Sequence, residues 1–256
     1  MLEHGQKINR SVERAIDIMA ALAEANLPVG VTELEQSLLL SRPTLYRILH
    51  TLEKKGMVIC KGKPQRFSLG VRIVEMARPW LGNNNIAAVS QPYLTTLWNQ
   101  TDETVALFVV GDLDTKVCIQ ELQSRQALVF TRGTGIVEPL IIGSSGKTIL
   151  AYRDRGSIEI ILAAIADNDM RARIEQDLVA IRKNGYSLTK GEVIAGAVAM
   201  SAPVFSRGGA VQGSVSLYGP EIRLSSEYKA RCLDCLLRTS SQISAAMGYQ
   251  QTSAAE

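Results

Sequence analysis

Between Ser41 and Arg66 the chain gathers side chains that read nucleic acid: hydroxyl, guanidinium and phenol groups at Ser41, Arg42, Thr44, Tyr46 and Arg47. Leu45, Ile48, Leu49 and Leu52 recur among them at helical spacing and need a core, which turns the polar set, with His50, outward. Guanidinium groups pair bidentately with guanine edges, and hydroxyls reach bases or phosphates, so this face suits the major groove of duplex DNA. Residues 41–66 hold seven Lys or Arg (Arg42, Arg47, Lys54, Lys55, Lys61, Lys63, Arg66) against one acid, Glu53. Residues 70–256 carry 18 basic and 18 acidic side chains, so the net charge of +3 belongs to the front of the chain. Neutralising phosphates with a small module requires that localisation.

The elements that must present these groups follow from periodicity and caps. Over residues 8–25, Val12, Ala15, Ile16, Met19, Leu22 and Ala23 mark a helix, with Asn9 or Ser11 placed to cap it. After the break from Asn26 to Gly30, Thr32 and Glu35 fit a capping box for a second helix that ends near Leu38. Pro43 in a first turn and Gly56 as a stop bound the third. Two strands, 57–61 and 66–69, flank the turn from Gly62 to Gln65 and predict a hairpin whose Lys63 and Arg66 track the phosphate backbone or minor groove. The pattern is a helix-turn-helix followed by a wing. Residues 70–82 predict another helix, with Val71, Val74, Ala77 and Leu81 on one stripe and Ile73, Met76 and Trp80 beside it. That width needs burial against another subunit or domain, and Asn83 to Asn85 mark a boundary.

A chain of 256 residues, 46% hydrophobic and 21% charged, has the profile of a soluble globular protein of two domains. With no apolar run of membrane-spanning length and no signal-peptide core, a cytoplasmic address and no membrane partner are expected. Four cysteines (Cys60, Cys118, Cys232, Cys235) are too sparse for a disulfide framework. The Cys232–Cys235 pair lies in a helical pattern without a second ligand pair and reads as core. His4 and His50 are the only histidines, which disfavours His-dependent hydrolases; no metal or cofactor is expected. Strands are predicted at 104–110, 115–122, 195–205 and 210–218, and helices at 86–100 through Pro92, 145–152, 157–166, 169–183 and 226–247. Hairpin-joined strands with helices between them indicate an α+β domain built on an antiparallel sheet.

On these features the chain resembles the IclR family of bacterial transcriptional regulators over nearly its full length. The N-terminal match is INRSVERAIDIMAAL, VTELEQSLLLSRPTLYRILHTLEKKGMV and the closing FSLG. The second is NGYSLTKGEVIAGAVAMSAPVFS, where Gly185, Glu192, Ala199, Met200, Ser201, Val204 and Phe205 fit the family signature while Thr189 and Ser206 depart. The resemblance implies a winged helix-turn-helix domain over 1–69, a linker helix over 70–85 and a GAF-like effector-binding and oligomerisation domain over 86–250. It further implies a homodimer or dimer of dimers on a double-stranded operator, controlled by a small, often acidic metabolite, with repression preferred over activation. Effector contacts carried over by motif are Ser144, Ser145 and Gly146 in the Gly143–Thr148 loop, Ser216 and Tyr218 in VSLYGP, and Thr189 and Ala199. Thr189 stands where Asp is frequent, Ala199 where Cys is frequent and Tyr218 where some members have Ser, which favours a ligand with an apolar or aromatic portion. Leu39 stands where Gly is frequent, and a left-handed Leu costs about 1 kcal/mol.

Three other readings compete. Ser144 and Lys147 spell the S-x-x-K nucleophile motif of serine acylases, but neither a Ser-Asp-Asn nor a Lys-Thr-Gly string accompanies it. The same GSSGKT stretch has two residues between its glycines, where a nucleotide phosphate loop needs four. A protein-interaction module with an incidental basic patch would lack salt-sensitive DNA binding.

Overall fold

A computed structural model describes residues 9–25, 27–83, 86–224 and 226–250, with the side chains of 78–83 excepted. The chain forms two compact units, Met1–Asn84 and Asn85–Glu256.

In the first unit, α1 (Arg10–Glu24) starts where the Asn9 side chain accepts the Ser11 N–H at 3.1 Å. Its buried residues are Ile18 and Leu22, while Val12 and Ile16 stand more than half exposed, so the inward face is rotated from the expected stripe. After β1 (Val29–Gly30) comes α2 (Val31–Leu38). It begins one residue before Thr32, and the reciprocal carboxylate is Glu33, which accepts the Gly30 N–H at 3.3 Å. The expected capping frame of Thr32 and Glu35 is therefore wrong. Leu39 ends the helix at φ 53°, the left-handed conformation, and is 90% exposed. Ser41 then opens α3 (Arg42–Lys54), with Pro43 in its first turn. Leu45, Ile48, Leu49 and Leu52 pack with Ile18, Leu34, Val58 and Phe67 as one core. The strands β2 (Val58–Lys61) and β3 (Arg66–Leu69) form the expected hairpin, and β1 adds to β3 as an unforeseen third strand. In α4 (Arg72–Asn83), Val74 and Met76 are exposed, as is Val71 just before it. The side chains of Trp80 and Leu81, the residues Asn84 and Asn85 of the expected boundary, and Ile8 and Asn26 lie outside the described residues.

In the second unit α5 (Ile86–Thr101) runs through Pro92 into β4 (Thr104–Val110) and β5 (Thr115–Leu122). A short strand, β6 (Val137–Pro139), precedes the helices α6 (Gly143–Ala151), α7 (Arg155–Ala163) and α8 (Asn168–Asn184). Gly185 closes α8 at φ 81°, as the Asn-Gly pair predicts. Then follow β7 (Ser187–Lys190), β8 (Ala197–Phe205), β9 (Val211–Pro220) and α9 (Ser226–Ala246). The strands form one antiparallel six-stranded sheet in the order β6-β5-β4-β9-β8-β7. Alternation divides the core. Val105, Leu107, Met200 and Leu217 face α5 and α9, whose Cys232 and Cys235 are buried among them, while Ala106, Phe108 and Tyr218 face α6, α7 and α8. The architecture is α+β, and no helix among the described residues is long and apolar enough to cross a membrane.

Because Leu39 meets no packing demand, Leu39→Gly should raise the stability of the protein by up to about 1 kcal/mol through relief of the left-handed backbone. Urea unfolding checks it, and a loss of stability would show that the turn is not strained.

Candidate nucleic-acid interface and ligand site

The outward face of α3 carries Tyr46 and Arg47, both exposed, and Arg47 has no side-chain partner among the described residues. The Ser41 and Thr44 hydroxyls bond each other at 3.1 Å in the first turn. Arg42 and Arg66 are not free as the charge count implied. Arg42 Nε donates to Glu35 at 2.8 Å and its guanidinium to Thr32 at 3.2 Å, while Arg66 donates to Glu33 at 2.7 Å and to the Pro28 carbonyl at 3.3 Å. Both acids fall just outside residues 41–66, which is why a window count missed them. Lys63, in the turn between β2 and β3, is exposed without an ion-pair partner among the described residues. Surface pairs of this kind contribute only about 0–1 kcal/mol, so a phosphate oxygen can replace either glutamate.

A cavity opens on the α6 side of the second unit's sheet, with an envelope of about 480 Å³ that includes solvent-open space. Strand register assembles it. Thr189 pairs with Ala199, Ala199 with Tyr218 and Tyr218 with Thr104, so three expected contact residues form a single row across β7, β8 and β9. Ser144, Ser145 and Ser216 complete the expected set that lines the cavity. The Ser144 and Ser216 hydroxyls are each 2.7 Å from the Ser201 hydroxyl, a chain of buried serines behind the wall. Gly146 does not line the cavity. A Cβ there would lie 2.5 Å from the Leu140 carbonyl oxygen, so this glycine lets α6 pack against the segment before it.

Four charged residues outside the expected effector set, Lys116, Arg132, Glu138 and Glu192, also line the cavity. Lys116 is 1% exposed; its ammonium donates to the Ile142 carbonyl at 2.7 Å, stands 3.4 Å from the Glu138 carboxylate and lies over the Phe108 ring. Burial, then the nearby Arg132, push its pKa down to about 7. Arg132 is ion-paired with the same Glu138. The Tyr218 hydroxyl donates to Glu121, which also accepts from Thr131 and from the Arg132 and Gly133 N–H groups at 2.8 and 3.2 Å, so this carboxylate fixes the loop bearing Arg132. Burial and Glu121 together raise the Tyr218 phenol well above its ordinary range. The available sign of Lys116 was its place in the β5 alternation, on the same face as Cys118.

Glu192 meets the start of α6. It accepts the Gly143 N–H at 3.1 Å and the Lys147 ammonium at 2.8 Å, and Asp177 takes the same ammonium at 2.7 Å. Burial opposes the charge on Lys147, yet these carboxylates outweigh it and hold its pKa above the ordinary lysine range. A lysine kept protonated in this way cannot act as the base that an S-x-x-K nucleophile needs, and the Ser144 hydroxyl is engaged with Ser201 instead.

Two outcomes follow from this geometry. Gly146→Ala should cost about 1–3 kcal/mol by overpacking α6 against Leu140, measured by urea unfolding; an unchanged midpoint would return Gly146 to the ligand set. Lys116 binds its proton less tightly in the folded chain, so the unfolded chain holds more protons between pH 7 and its ordinary value near 10.5, and stability rises with pH across that window. Lys116→Met should flatten the slope, and an unaltered pH profile would show that Lys116 titrates normally.

The family described as "Bacterial transcriptional regulator IclR C-terminal" matches residues 79–245, and the "IclR helix-turn-helix domain" matches residues 11–58. HTH-type transcriptional regulator KdgR of Escherichia coli (strain K12) is 30% identical over 246 residues, 93% of each chain. Transcriptional repressor IclR of the same organism is 23% identical over 247 residues, 93% of this chain and 90% of its own. Among solved structures, the IclR of Thermotoga maritima shares the fold with a TM-score of 0.74 at 24% identity, covering 94% of this chain and 99% of that one. A regulator from Alicyclobacillus acidocaldarius gives 0.75 at 22% identity, covering 93% and 99%. Matched by both family domains in order along the chain, the protein belongs to the IclR family of bacterial transcriptional regulators.

Proposed function

We propose that the protein binds a double-stranded DNA operator through α3 and its wing, and that a small-molecule effector in the cavity of the second unit alters that binding. The observation that carries this reading is the pairing, in one chain, of an outward face whose Arg47 and Lys63 are unengaged among the described residues and a cavity walled by Lys116, Arg132 and the row Thr189, Ala199 and Tyr218. The protein acts in the cytoplasm as a homodimer or dimer of dimers, placing two copies of α3 in successive major grooves about 34 Å apart. Repression is the preferred sign, in keeping with relatives named as repressors. The effector class is a compound with one acidic group, which the cations favour, and an apolar body, for which Phe108, Val193 and Ile194 provide the wall. Such a ligand changes DNA affinity only by binding the competent and incompetent arrangements unequally, with couplings of about 1–3 kcal/mol.

Gel shifts with genomic fragments should reveal a specific complex that weakens steeply with salt, the mark of phosphate contacts. Arg47→Ala should reduce operator discrimination by about 1–3 kcal/mol, while thermal shifts produced by small carboxylates, aromatic acids and lactones persist. Equal loss of both properties would contradict a division of labour between the two units.

A further inference from the structure

In the cavity, the carboxylate of Glu138 already stands where the acidic group of a ligand would be held. It reaches Lys116 at 3.4 Å and the guanidinium of Arg132, both cavity-lining cations. The pairing leaves the Arg132 fork incomplete, because its buried Nε has no hydrogen-bond partner among the described residues. A carboxylate entering from the cavity could engage that donor as well, since a guanidinium binds an acid best through two parallel N–H bonds. Glu192, the other acid at the rim, is held otherwise: its oxygens close on Gly143 and Lys147, and neither leaves a buried side-chain donor unpartnered. Anchorage differs too. Glu138 is the middle residue of β6, three residues long, at the sheet edge and paired only with β5.

We propose that Glu138 is an internal counter-ion at the anion end of the effector site, and that a carboxylate effector binds by taking over Lys116 and Arg132 and releasing Glu138 and β6 from the cavity wall. This deepens the preceding reading and rests on the cavity being the effector site. Charge is conserved in the exchange, because one carboxylate leaves the two cations as another arrives and neither is stranded in a poorly hydrated site. A neutral ligand has no such exchange to offer, so the site selects acids over their amides. Beyond β6 the chain runs through Leu140, whose N–H bonds the Asp114 carbonyl at 2.8 Å, and Ile142, whose carbonyl holds Lys116, directly into α6. Release of Glu138 therefore acts on a segment tied at both ends to the same wall.

Titration calorimetry on the full chain tests the exchange, using butyrate, phenylacetate and benzoate, each beside its amide. The wild type should bind at least one acid in preference to its amide. Glu138→Gln, which removes the competing charge, should bind that acid about tenfold more tightly, and Lys116→Met should lose the preference. If circular dichroism shows the Gln variant unfolded, Glu138→Asp, whose shorter side chain pairs less well, should shift affinity in the same direction. The proposal is overturned when no Glu138 variant binds any of these acids more tightly than the wild type, the case of no binding by either included. Ala199→Phe, which fills the cavity, separates the two levels. Binding lost in this variant but unchanged in Glu138→Gln would leave the cavity as effector site and remove the counter-ion. Binding retained in the filled cavity would remove both.

Discussion

A buried ammonium is stabilised by an anion beside it, and the second unit is organised around two buried lysines, Lys147 and Lys116. Lys147 draws Asp177 of α8 and Glu192 of the β7–β8 loop to one face of α6. Lys116 draws Glu138 of β6 and the Ile142 carbonyl to the entrance of the same helix. A helix with all nine residues buried is thereby fixed by charge as well as by packing against β8 and β9. Desolvation is opposed by several donors and acceptors at once, the condition under which buried charge persists. Lys116, Glu138 and Glu192 line the cavity, so its electrostatics are set by the scaffold itself.

The first unit handles charge in the opposite way. Its ion pairs, among them Arg42 with Glu35 and Arg66 with Glu33, lie on the surface, and the buried residues shared by α1, α2 and α3 are apolar among the described residues. Exposed pairs are weak and exchangeable, which suits the proposed exchange of glutamate for phosphate on this face. A rigid apolar support beneath a replaceable polar surface fixes the pitch of α3 while leaving its charges available.

Long elements with a strong period were legible in the residues. The strands Thr104–Val110 and Thr115–Leu122 have the bounds that alternation sets, and α5 accommodates Pro92 as its apolar pattern requires. The short strands β1, β6 and β7 were not legible, because two to four residues carry no period and, unlike β2 and β3 around the Gly62–Gln65 turn, no tight turn joins them to their partners. On α1 the apolar residues encircle too much of the helix for composition to choose Ile18 over Val12 and Ile16. Register explains the site. Thr189, Ala199 and Tyr218 are distant in the chain and become neighbours only once three strands align, and family motifs had named them without that geometry. Lys116 and Glu138 were overlooked because a charged residue in a strand ordinarily points to water, and Arg132 because its loop is ordered by Glu121, a tertiary contact. Gly146 entered the ligand set through its motif, while its actual constraint is the carbonyl of Leu140.

The four thiols of the chain differ in reach. Cys118, Cys232 and Cys235 are buried in the second unit, and burial pushes Cys118 up to about 12 and Cys232 up to about 11. Cys118 and Cys232 therefore stay protonated at neutral pH, and burial closes all three to electrophiles. Cys60, on β2 beside Lys61, is the one thiol in partial contact with solvent, although burial and Glu53 raise its pKa as well. A maleimide fluorophore added to the native protein would accordingly settle on the hairpin next to α3, so the chain carries its own attachment point for an optical reporter at the edge of its proposed nucleic-acid face.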